Sequence, residues 1–99
     1  MELAEVIAKC KAYKAKLPLD LNVLDVYLFG SYADGRTTEE SDIDIAVVIE
    51  EMKSDYFDVV PRLWDICPEV DSRIEPILLQ TMHDPSGFLA HIKATGIKI

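Results

Sequence analysis

Cysteine is scarce in this chain: Cys10 and Cys67 stand alone, with no CxxC spacing and no histidine at metal-ligand distance along the sequence. That excludes a zinc knuckle and offers no disulfide framework, so both read as buried or half-buried thiols of a reducing compartment. Long apolar runs are also missing. Runs such as residues 45–49 and 77–79 fall far below the roughly 20 residues needed to cross a bilayer. The opening MELAEVIAKCKAYKAKL mixes acids and lysines and is not a signal peptide. The expectation is a cytoplasmic chain with no membrane partner. Basic residues are outnumbered, 10 Lys and Arg against 18 Asp and Glu, for a formal charge of −8. A protein that grips nucleic acid through many phosphate contacts needs the opposite balance, so nucleic-acid binding is not expected. A nucleotide substrate stays open, because bound magnesium inverts the local sign of a carboxylate cluster. So does a basic protein partner.

What is present suits one folded domain spanning 1–99, since half the residues are apolar and charges are interspersed. Leu3, Val6, Ile7, Cys10, Tyr13 and Leu17 follow helical spacing, and Pro18 ends that helix. Residues 23–29, VLDVYLF, read as a strand that stops at Gly30. Residues 31–41 form a polar connection with an Asp34-Gly35 turn signal. Residues 42–49, DIDIAVVI, begin with alternating acid and isoleucine and then turn wholly apolar, as a strand does when it runs from an open site into a core.

Phe57, Val60, Trp64 and Cys67 share one face of a helix over residues 54–67. Pro61 kinks it or starts a new turn, and Pro68 closes it. Residues 72–80 read as a third strand in which Pro76 favours an edge or a bulge. Asp84 as N-cap, Pro85 as first helical residue and Gly96 past the end frame a last helix. The apolar tail, residues 97–99, fits either a partner surface or a short added strand. The order is α-β-β-α-β-α: an α/β (α+β) domain with a small mixed three-stranded sheet covered by helices.

The chemistry concentrates in GSYADGRTTEESDID: Gly30-Ser31, ten residues, then Asp42-Ile43-Asp44. A strand's period of two puts Asp42 and Asp44 on one face with Cα atoms about 6.8 Å apart, so both carboxylates reach one ion. Nucleotidyl transfer builds charge on the attacking and leaving oxygens, and two divalent ions roughly 3.5–4 Å apart stabilise both. Gly30 lets backbone approach a phosphate, and Ser31 offers a hydroxyl and an N–H at the start of a helical turn. As a structural alternative, Asp42 and Asp44 would be solvated acids at a strand entrance, a poor choice for β conformation without a metal.

GS, ten residues and a strand-borne DID resemble the nucleotidyltransferase superfamily related to the DNA polymerase β palm, and the short length resembles its minimal (MNT) branch. That resemblance implies a palm-like fold, nucleotide binding by Gly30 and Ser31, and two Mg2+ ions held by Asp42, Asp44 and a third carboxylate on the strand after the central helix. Glu75 in RIEPILL is the best match for that third, metal-binding and catalytic position, although many relatives carry Asp; Asp71 lies just before the strand. Relatives are commonly encoded beside a HEPN-domain toxin, so the resemblance implies transfer of AMP from ATP to a tyrosine of such a toxin, with this chain as antitoxin. A non-catalytic module that neutralises its partner by occlusion is the alternative from another class. A transferase acting on a small molecule is the third reading, and it usually brings an extra helical domain that this chain lacks.

Other residues carry weaker signals. Arg36 is a candidate phosphate contact or a solvated loop side chain. Tyr32 would stack on a base or pack. Trp64 and Phe57 are core candidates. His83 and His91 have no catalytic partner spacing. Lysines 9, 11, 14 and 16 are most simply a solvated helix face.

Overall fold

The computed structural model describes residues 1–36 and 41–99. Its elements run α1 (Leu3–Ala15), a 3-10 turn (Leu19–Leu21), β1 (Asp25–Phe29), α2 (Ser31–Asp34), β2 (Ile43–Ile49), α3 (Tyr56–Val70), β3 (Ile74–Gln80), α4 (Phe88–Thr95) and β4 (Ile97–Lys98). The sheet is mixed, in the order β3-β2-β1-β4. β2 is antiparallel to β1 and parallel to β3, and β4 is antiparallel to β1. The parallel step from β2 to β3 needs a crossover, which α3 supplies.

The expected three-stranded sheet is therefore four-stranded among the described residues. The tail resolves to the added strand, with Leu28 opposite Ile97 and Tyr27 opposite Lys98. Proline at position 76 is explained by β3 lying at the sheet edge. Residues 37–40 of the polar connection lie outside the described residues. Its first part winds into α2, which Gly35 ends in the left-handed region at φ +74°.

Two apolar layers flank the sheet. On one face Val26, Leu28, Ile43, Ile45, Val47 and Ile74 pack with Val6, Cys10 and Tyr13 of α1 and with Leu63, Ile66 and Cys67 of α3. On the other, Tyr27, Ala46 and Val48 pack with Leu89 and Ile92 of α4. β2 lies inside the sheet and is covered on both sides, so its DIDIAVVI run becomes continuously apolar once past Asp44. Both cysteines are buried thiols, as expected, and burial pushes the Cys10 thiol up to about 11.

α3 corrects the sequence reading in two respects. It runs unbroken through both prolines to Val70, and its buried face is Val59, Leu63, Ile66 and Cys67. Phe57 and Trp64, expected in the core, are 80% and 46% exposed. Both prolines are exposed, so the carbonyls of Phe57 and Trp64, which lose their helical N–H donors, lie on the solvent side where water replaces the bond. α4 also starts later than expected. Gly87 is its N-cap, while the Asp84 carboxylate accepts from the N–H groups of Leu89 at 3.0 Å and Ala90 at 3.2 Å from outside the helix.

Candidate active site

The site is set by strand register. Asp44 pairs with Phe29 across the antiparallel β1/β2 ladder and with Glu75 across the parallel β2/β3 ladder. Directly opposed residues point to the same face, so Asp44 and Glu75 stand side by side. Asp42, two positions earlier and just outside β2, shares that face. The face is the one that α4 covers further along. Phe29 meets Phe88 of α4 edge to face, with centroids 5.9 Å apart, and this pair borders the carboxylates.

Electrostatics mark Asp44 as the focus. Partial burial raises its pKa above the ordinary carboxylate value, and the neighbouring charges of Glu75 and Asp42 push it further up. No ion-pair partner for Asp42, Asp44 or Glu75 exists among the described residues. Three oxygen-donor side chains with uncompensated negative charge are what a hard divalent cation takes. Among the described residues no three His, Cys, Asp or Glu side chains are drawn into a ready cation cage.

Gly30 touches the same point. It has φ +72°, which an L side chain rarely adopts, and a Cβ built there would run into the Asp44 carboxylate. The turn therefore needs glycine for conformation and for space. Ser31 follows as the first residue of α2, whose opening N–H groups have no acceptor within the helix.

The other candidates fall away from this cluster. Asp71 receives bonds from Arg73 Nη2 at 2.8 Å, Arg73 Nε at 3.1 Å and Lys9 Nζ at 2.9 Å, which ties α1 to the α3–β3 connection. Arg36 pairs with Asp34 at 3.0 Å and is largely exposed. Tyr32 packs into the core, its hydroxyl buried without a hydrogen-bond partner among the described residues. His83 and His91 are exposed. The sequence reading missed the contact between Gly30 and Asp44, whose only signal was the β1/β2 register implied by opposing Phe29 to Asp44.

Comparison with known proteins matches residues 9–99 to the family described as Polymerase beta, Nucleotidyltransferase. The chain belongs to that family. It is a nucleotidyltransferase of MNT type. A Methanocaldococcus jannaschii protein provisionally named protein adenylyltransferase MJ1379 is 34% identical over 88 residues, covering 85% of this chain and 82% of its own. Two solved structures share the fold. A toxin–antitoxin crystallised with AMP-PNP has a TM-score of 0.61 at 22% identity, covering 99% of this chain and 72% of that one. A provisionally assigned nucleotidyltransferase from Sulfolobus solfataricus has a TM-score of 0.54 at 23% identity, covering 98% and 74%. Among the described residues no helix is long and apolar enough to cross a membrane.

Proposed function

We propose that this nucleotidyltransferase, acting as a single domain over 1–99, moves AMP from ATP to a tyrosine hydroxyl of a cognate HEPN toxin in the cytoplasm, and so serves as its antitoxin. The observation that carries the reading is the carboxylate set: Asp44 beside Glu75 in register, Asp42 on the same face, and Gly30 leaving room for Asp44. Asp42, Asp44 and Glu75 would hold magnesium, which supplies charge stabilisation to the attacking and leaving oxygens of the phosphoryl group. Gly30 and Ser31 hold the leaving phosphates against the start of α2. Glu75, exposed at the sheet edge, accepts the proton of the incoming hydroxyl. Raised affinity of Asp44 for a proton is the mark of a site that wants positive charge, and the triphosphate brings that charge with its own cation.

Support for ATP and for a toxin partner comes from relatives: the M. jannaschii protein bears an adenylyltransferase name, and the structural neighbour is a toxin–antitoxin with an ATP analogue. Purified chain, toxin, ATP and magnesium should yield toxin carrying one or more AMP groups by intact mass, with the adduct mapped to tyrosine. Asp42→Asn with Asp44→Asn should retain toxin binding and lose the adduct. Neutralisation that survives this double change, with no adduct from any nucleotide, would favour the occlusion reading instead.

A further inference from the structure

α3 carries two apolar faces, and the core uses one. The other holds Phe57, Val60, Pro61, Trp64 and Pro68, which fall three, four, seven and eleven positions along from Phe57 and so line up on one side. Phe57 is 80% and Trp64 46% exposed, and Tyr56 stacks edge to face on Phe57 at 5.7 Å. Scattered exposed apolar residues need no explanation, but a contiguous apolar stripe marks an interaction surface.

Charge decides the occupant. Asp58 and Asp65 lie along one border of the stripe with no ion-pair partner among the described residues. Arg62, the only cation in the α3 sequence, is held by both carboxylate oxygens of Asp20 at 2.8 and 3.0 Å. Among the described residues Glu69 meets only Lys16, at 3.8 Å. The carbonyls of Phe57 and Trp64, deprived of helical donors by Pro61 and Pro68, add acceptors to the same surface. A second copy would bring the same acids into opposition within chains of charge −8. A basic partner meets attraction throughout.

We propose that the exposed stripe of α3 docks an amphipathic helix of a partner protein whose apolar side chains are flanked by Lys or Arg. Helix-in-groove recognition of this kind is read at the same three- and four-residue spacing. Because α3 joins the end of β2 to the start of β3, its Pro68 end lies at the sheet end that carries Asp42, Asp44 and Glu75. The carboxylates stand on the α4 face of the sheet and α3 packs on the α1 face, so a partner lying along α3 reaches them only around that end of the sheet. Docking stands on α3 alone, and only its link to the acceptor rests on the transferase reading.

The probe is a fluorescein-labelled synthetic helix of about 20 residues, with leucines on one face and lysines on both borders, read by anisotropy on the full chain. A control peptide replaces the lysines by glutamates. The lysine peptide should bind and the control should not. Phe57→Ser with Trp64→Ser should weaken binding at least about tenfold, and Asp58→Asn with Asp65→Asn severalfold while flattening its salt dependence. Circular dichroism and melting checks that both variants fold. Equal binding of both peptides, or unchanged binding by a folded Phe57→Ser, Trp64→Ser chain, overturns the proposal. So does a dimer in sedimentation that those serines abolish. Asp42→Asn with Asp44→Asn should leave peptide binding intact, and an unmodified chain that binds the peptide yet transfers no nucleotide sinks the transferase reading alone.

Discussion

Asp44 is held in a setting that disfavours its own charge: it is partly buried, beside Glu75 and close to Asp42. Its folded pKa lies above the unfolded value near about 3.9, so folding favours the protonated form. The resulting stability is complete below the unfolded pKa and is lost as pH rises through the folded one. At neutral pH Asp44 therefore costs stability. Asp44→Asn should raise Tm at pH 7, with the gain shrinking as pH falls and vanishing below about pH 4. Transfer should fall at least about hundredfold in the same protein. An Asn variant that melts below the parent at pH 7 would show that Asp44 is stabilised by something other than a cation.

At the scale of elements, the Asp71 clamp has the opposite sign. Arg73 above all, with Lys9, holds the Asp71 carboxyl well below the usual carboxylate range, and its side chain is only 9% exposed. Stability from this group is present above the unfolded pKa and lost as pH falls through the folded one. Asp71→Asn should cost about 1–3 kcal/mol at pH 7. In urea melts the gap to the parent should begin to narrow below about pH 4 and go on narrowing as the pH falls further. A gap that stays constant across that range would mean that the aspartate contributes by packing.

The same region shows what sequence could and could not carry. Asp42 and Asp44 were legible because strand period is local: two residues apart means one face. Glu75 beside Asp44 depends on β2/β3 register, a pairing across 31 positions that no local pattern encodes. α3 misled because both of its faces are apolar at helical spacing, and size favoured burying Phe57 and Trp64. Only the fit against α1 and β3 chooses Val59, Leu63 and Ile66, and Pro61 and Pro68 can sit mid-helix only on the solvent side. β4 was too short to leave a period.

For the molecule as a whole, β4 is what completes the sheet. Residues 97–99 close the free side of β1: Ile97 pairs with Leu28, the Ile99 N–H donates to Val26 O at 2.8 Å, and Lys14 of α1 donates to the Ile99 oxygen at 2.9 Å. Ile97 and Ile99 also pack against the α1 side of the core. Their removal would take away half-buried apolar area and leave β1 as an open edge with unpaired N–H and C=O groups, the condition that invites pairing with another chain. Deleting residues 97–99 should cost about 2–4 kcal/mol in urea melts and produce concentration-dependent association in sedimentation. Lys98→Ala removes only the exposed pair with Asp25 at 3.2 Å, so it should cost at most about 1 kcal/mol and leave the association state of the parent unchanged. If the deletion behaves like Lys98→Ala, the sheet does not need β4, and the core that positions Asp44 is carried by β1, β2 and β3 alone.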